Sequence, residues 1–354
     1  MKTNLSIITL MMLSPSLFAQ SPLAEAIEGI SHEGELRLGA IRTKNTQGEK
    51  ATTLSLGGRV SLETKPLNGL SLVGTFLTTN PLFGNNEEGM FLGSDHHGYA
   101  LVGESYLKAS FGKTLFKAGR QILDTPYADS DDIGMVPNSF EGYSLINQDL
   151  SDTTLILAWL DKWSGVDAPV PEQFNAMQAS GDAVITGGLI YEGVENTTLQ
   201  AWHYQLDDAN YNYAELGYEA DTFRMGLQYT DQDNSNRAYG VHMGGNVDKL
   251  SLDIAYNKAK GTVSNGFGGG PFFTSCEDHT IAKVKNQKAM RYRAEYALDD
   301  HLILEVSHLN LNIGENETDY LASFEVNDHH TLDLIYTDMY DDGSVVRFFA
   351  NYKF

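Results

Sequence analysis

The chain has 354 residues and a formal charge of −23, from 47 acidic against 24 basic residues. Such an acidic excess argues against nucleic acid as a partner, which needs a basic footprint. No apolar run reaches the ~18 residues of a helical membrane span, and the single cysteine, Cys276, excludes an internal disulfide.

The N-terminus is the first informative stretch. Lys2 precedes an apolar core at 5–13, then Pro15, then Leu17-Phe18-Ala19. A charged start, a short apolar core and a small residue at the cut predict an export signal over 1–19. Residues 20–354 are expected to form one domain. Residues 21–29 suit a short helical turn or plug.

From residue 30 the chain alternates apolar and polar side chains, the period of a sheet with one apolar face. Leu36, Leu38 and Ala40 oppose Glu35, Arg37 and Gly39. Leu54, Leu56, Val60 and Leu62 oppose Thr53, Ser55, Arg59, Ser61 and Glu63. Leu70, Leu72 and Phe76 oppose Ser71 and Thr75; Tyr99, Leu101 and Leu107 are set against Glu104, Tyr106 and Lys108. The pattern returns at 223–230, 250–257, 290–296 and 332–337. It is weaker at 114–121, 143–148 and 197–206. Short turns alternate with longer links at 79–98, 122–142, 163–182 and 259–287.

About eighteen such strands fit an up-and-down barrel, with tight turns on the periplasmic rim and longer loops outside. In lipid every backbone N–H and C=O must be paired, so a spanning sheet has to close on itself. The fold class expected is therefore all-β: a transmembrane antiparallel up-and-down barrel, apolar parity toward hydrocarbon and polar parity toward the bore. A soluble sandwich would place the apolar face inside. The last strand ends on Tyr352 and Phe354, which resembles the C-terminal assembly signal of bacterial outer-membrane barrels.

Two sets of residues could carry function. Arg37, Arg59, Lys108, Arg224, Arg291, Arg293 and Arg347 fall on the bore-facing parity. They form either scattered wetting charges or a basic track along one wall. The second set is the link between two strands, RQILDTPYADSDDIGMVPNSFEG. Pro126 and Pro137 bar it from a helix or an inner strand. Asp124, Asp129, Asp131 and Asp132 crowd into it. Folded inward, it would set carboxylates opposite the cations and focus a transverse field. A solvated outer loop is the plainer reading. Clustered carboxylates could also hold a lumenal Ca²⁺, but the spacing is not that of an EF-hand, and no cofactor or metal is expected. Neighbours Cys276, Glu277, Asp278 and His279 read as accidental proximity, and Gly266 to Gly270 as a loop tip. Ser307 and His308 are adjacent on a strand and so point apart; no G-x-S-x-G occurs, and no enzyme is expected.

The run Gly119-Arg120, Thr125-Pro126, Asp131-Asp132, Pro137 and Phe140-Glu141-Gly142 resembles the OprD-like family of outer-membrane porins. The start at 21–29 is similar to campylobacterial major porins. The resemblance implies an eighteen-stranded barrel in the outer membrane of a Gram-negative bacterium, monomeric or trimeric. It implies passive diffusion of small hydrophilic, often carboxylate-bearing or zwitterionic solutes past an inward loop and an arginine ladder that includes Arg120. Implied partners are membrane lipid and lipopolysaccharide, the barrel assembly machinery and the solutes themselves. A structural or adhesive barrel without flux is the alternative. Gly134 stands where the family often has a basic residue.

Overall fold

A computed structural model describes residues 22–85, 89–233 and 235–354; the expected export signal lies outside them. A short helix, α1 (Pro22–Glu28), precedes the strands. In chain order these are β1 (Ser31–Lys44), β2 (Lys50–Glu63), β3 (Leu70–Gly84), β4 (Tyr99–Phe111), β5 (Thr114–Gln121), β6 (Ser139–Asn147), β7 (Thr153–Ser164), β8 (Asn175–Ala176), β9 (Val184–Val194) and β10 (Thr197–Gln205). They continue with β11 (Asn210–Glu219), β12 (Phe223–Gln232), β13 (Asn236–Val247), β14 (Leu250–Lys260), β15 (Lys288–Ala297), β16 (Leu302–Leu311), β17 (Glu317–Asn327), β18 (His330–Asp338) and β19 (Ser344–Lys353).

Each strand pairs antiparallel with its sequence neighbour, and β1 also pairs with β19, placing Arg37 opposite Asn351. The sheet is thus a closed cylinder. The two-residue β8 is an appendage on β7, which pairs onward with β9. Closure continues to the chain end, where Phe354 and Gly34 exchange two backbone hydrogen bonds of 2.9 and 3.0 Å. Gly34 leaves room there for the Phe354 ring, which a Cβ would displace.

Side-chain exposure identifies the outer face. Leu36, Leu252, Ile254 and Tyr292 stay 42–50% exposed on the outside, while Thr53, Ser55 and Thr79 on the other parity are fully buried. The outward row is what hydrocarbon would cover, at about 1.5–3 kcal/mol per large apolar side chain taken from water.

Two expectations need correction. Tyr99 and Leu101 do not share the face of Leu107. The register between β3 and β4 slips where Thr75 pairs with Glu104 but Phe76 with Val102. The unpaired Gly103 is a β-bulge, and one extra residue reverses side-chain parity beyond it. Val102 consequently faces out and Leu101 is buried inside. Secondly, the rim opposite the termini is not uniformly long-looped. Links 85–98, 122–138, 165–183 and 261–287 are long, but 45–49, 206–209, 312–316 and 339–343 are short turns.

The long links fold inward and fill much of the bore. Phe91, Met135 and Val136 pack on Ile41, Leu77, Leu101, Val345 and Phe349 of the wall. Tyr127 packs with Trp163, Trp202, Tyr204 and Tyr213. Val263, Phe272 and Ile281 pack on Ala259, Ala289 and Leu309. Inward-facing apolar wall residues are thus landing sites for loops.

Candidate functional site: the lumenal constriction

The β5–β6 link, residues 122–138, leaves the wall after Gln121 and returns at Ser139; Pro126 and Pro137 within it are both poor sheet residues. Tyr127 anchors one part of it. Its ring is completely buried and meets Tyr204, Tyr211 and Tyr213 edge-on at 5.4, 5.3 and 6.1 Å. Its hydroxyl donates to Thr230 Oγ1 at 2.6 Å, so a buried polar group is satisfied. The other part lands on β1. Arg37 donates to Asp132 Oδ1 at 2.6 Å and to the Gly134 carbonyl at 2.7 Å. Gly39 lets this segment lie flush, since a Cβ would come within 2.5 Å of Met135 Sδ. The link therefore crosses the lumen from β10–β12 to β1.

A second crossing link joins it. In residues 261–287, Phe267 N–H donates to Tyr127 O at 2.9 Å, and Asp129 N–H donates to Phe267 O at 3.3 Å. The amides of Gly269 and Gly270 donate to the Asp129 carboxylate at 3.2 and 3.3 Å. The glycine run at 266–270 is thus no outer loop tip; it cradles a carboxylate inside the barrel. Sequence reasoning saw 259–287 only as a longer link and not that it turns inward. The signal for that was its apolar residues Val263, Phe272 and Ile281, which are buried against the wall.

The sequence-selected aspartates have separate surroundings. Asp124 accepts from the Ser130 amide at 3.0 Å, and Asp132 is held by Arg37. Burial raises the Asp129 carboxyl to about 6 despite the two glycine amides. Burial first, then the adjoining Asp167 carboxylate, push Asp131 well above the carboxylate range. Asp167 also bonds Asn138 at 2.7 Å, tying the 165–183 link to this centre.

The cations are paired rather than free. Arg59 lies 3.5 Å and Arg37 2.9 Å from Glu35, and Lys108 lies 2.9 Å from Glu63. Arg120 is 2.9 Å from Glu141, which Lys162 approaches at 3.4 Å. The Arg120 guanidinium also lies over the Phe174 ring, 4.1 Å from its centroid. Arg224 pairs with Asp253, and Arg293 with Glu295 and Glu305. Arg291 donates to Ser275 O under the second link. Arg347 is 1% exposed behind Glu277 and Asp278, so it is covered from lumenal water. Carboxylates and cations thus touch within the wall and at loop contacts instead of facing each other across a gap.

These features, a closed antiparallel cylinder with a lipid-type outer face and crossing loops, coincide with a family match. Residues 61–294 match the family described as outer membrane porin, OprD family. The chain belongs to the OprD family of outer-membrane porins. As an OprD-family porin it is a Gram-negative outer-membrane barrel. Similar solved structures include Pseudomonas aeruginosa OpdK with vanillate, at TM-score 0.80 and 16% identity over 92% of this chain and 99% of that one. Pseudomonas aeruginosa OccK8 (OprE) gives 0.80 and 18%, over 92% and 98%. Acinetobacter baumannii OccAB3 gives 0.79 and 14%, over 92% and 99%. No curated protein sequence matches the chain.

In this porin Tyr352 and Phe354 lie at the terminal rim, with Tyr352 stacked 4.7 Å from His330. Ser307 faces inward to Cys276, and His308 bonds Thr318 on the other parity.

Proposed function

We propose that this OprD-family porin passes small hydrophilic solutes by diffusion and favours those bearing a carboxylate, alone or beside an ammonium group as in amino acids. The observation that carries the reading is a cross-strand row on the lumenal wall. Arg120 pairs in register with Glu141 and Glu141 with Lys162, giving the sequence plus, minus, plus over three strands. Arg59, Lys108, Arg120 and Lys162 keep 32–43% of their side-chain surface exposed, unlike Arg37 and Arg347. Exposed, partly compensated charge of both signs offers a zwitterion partners for both its ends, and an apolar solute none. The similar OpdK was solved with vanillate, itself a carboxylate.

Swelling of liposomes that contain the refolded protein tests this. Amino acids and small acids are expected to enter faster than sugars of similar mass, with the preference reduced in Arg120→Ala and Lys162→Ala. Equal rates for all solutes would remove the preference. The absence of discrete ohmic openings in planar bilayers would remove the channel and leave a structural or adhesive barrel.

A further inference from the structure

A second cluster lies away from the Arg120 row. Glu317 and Asp319 stand two residues apart on β17, on its lumenal face, and are 0% and 1% exposed. The 261–287 link lays Cys276 over them. The Cys276 sulfur and one oxygen from each carboxylate all lie within 4.8 Å of one another.

The two carboxylates have different supports. Glu317 is oriented from both sides: Oε1 accepts from the Asp278 amide at 3.0 Å and Oε2 meets His279 Nδ1. Asp319 Oδ1 is buried and has no hydrogen-bond partner among the described residues. Neither carboxylate has a lysine or arginine in salt-bridge range among the described residues; His279 is the one basic neighbour, on Glu317. Two adjacent anions in a water-excluded place cost several kcal/mol each unless a cation or a bound proton neutralises them. A single imidazolium matches one of them and leaves the other to a proton or a metal ion.

The donor set says which cation fits. Calcium and magnesium take oxygen ligands. A thiolate with two carboxylates suits a borderline divalent ion such as zinc or cobalt, bound at about 2.3 Å from sulfur and 2.0–2.2 Å from oxygen. Small side-chain rotations would bring these atoms onto one ion. A ring nitrogen hydrogen-bonded to a ligating carboxylate is the kind of outer contact that orients metal ligands.

We propose that Cys276, Glu317 and Asp319 hold one divalent transition-metal ion of the zinc class, which pins the 261–287 link to β17. Binding exchanges the thiol S–H bond for a sulfur–metal bond and releases that proton to water; no redox change occurs. The site is independent of which solute the porin passes.

The test uses the refolded full barrel in detergent, loaded with Co²⁺ and desalted. One cobalt per chain is expected, with a thiolate-to-cobalt charge-transfer band in the near ultraviolet. Cys276→Ser should abolish the band, and Asp319→Asn should weaken binding by about tenfold or more. Heat-modifiable migration on gels would show that both variants are folded. A cobalt-loaded native chain without the band, or a folded variant with native affinity, overturns the proposal. In the unmutated chain, Zn²⁺ should slow Cys276 alkylation by iodoacetamide about tenfold while Ca²⁺ does not; equal rates with and without Zn²⁺ also overturn it.

Discussion

Arg37 and Asp132 meet at 2.6 Å although 95 residues separate them in sequence. This contact ties the 122–138 link to β1, the strand that closes the barrel against β19. Asp132 is 35% exposed, so solvent screening holds the pair to about 0.5–1 kcal/mol. Its importance is geometric, because it holds the loop end that Met135 and Val136 follow. Asp132→Asn and Arg37→Ala should each raise open-channel conductance and current noise in planar bilayers. The double variant should exceed neither single one by much, since both remove the same tie. Fully additive increases would show that the pair does not restrain the loop.

At the other landing site, Tyr127 carries the larger share. Removing a buried aromatic ring costs about 3–5 kcal/mol, whereas losing only its hydroxyl bond to Thr230 costs about 1 kcal/mol. Tyr127→Ala should release the link and expose it to protease, and Tyr127→Phe should leave it docked. Trp163 and Trp202 belong to the same cluster, so intrinsic fluorescence should shift in the alanine variant alone. An unshifted spectrum in Tyr127→Ala would contradict the anchoring role.

The lumenal carboxylates predict a pH response. Asp129 stands at about 6 in the folded chain against an ordinary 3.8, with burial the main cause. A group raised in the folded state favours folding while protonated. Its contribution is complete below about 4 and is lost as pH rises through about 6. Asp124 and Asp167 are the nearby like charges, so ionisation also adds repulsion between the links. Current noise should therefore grow between about pH 4 and 7, and Asp129→Asn should flatten the change. Asp131, raised by burial and Asp167, should add cation preference as it ionises at higher pH. A noise level independent of pH in the unmutated porin would exclude the Asp129 effect.

Sidedness can be checked by placing a charge on the outer wall. Ile254 lies near the middle of β14 and is 42% exposed. Ile254→Arg should destabilise the barrel in vesicles by about 2–4 kcal/mol if it sits at the bilayer midplane. Reversible denaturant unfolding measures this. A cost below about 0.5 kcal/mol, usual for a water-facing site, would place that row in water.

The barrel was legible because alternation is local. Leu250, Leu252 and Ile254 reveal a strand face without reference to any partner. The weak alternation of 114–121 has a visible counterpart: along β5, every residue but the buried Gln121 is of intermediate exposure, so its two faces do not differ in burial. The bulge at Gly103 was not legible, since a single glycine in an alternating run does not announce a slipped register. The site was legible only as residue types. Arg120 and the aspartates stood out, but Lys162 did not, because its role depends on register with Glu141 across the sheet.

The amino-acid order alone determined the barrel class, the face that regularly alternating strands turn to lipid, and the link bearing four aspartates; the first half of β4, beyond the Gly103 bulge, is the exception. These follow from a two-residue repeat and from prolines that refuse a sheet, both short-range properties. Tertiary structure alone decided which charges remain in water. Asp129 is enclosed by Gly269 and Gly270 from 140 residues away, and Arg347 is covered by Asp278 from 69 residues away. Such contacts depend on loop closure inside a finished cylinder, so no window along the chain contains them.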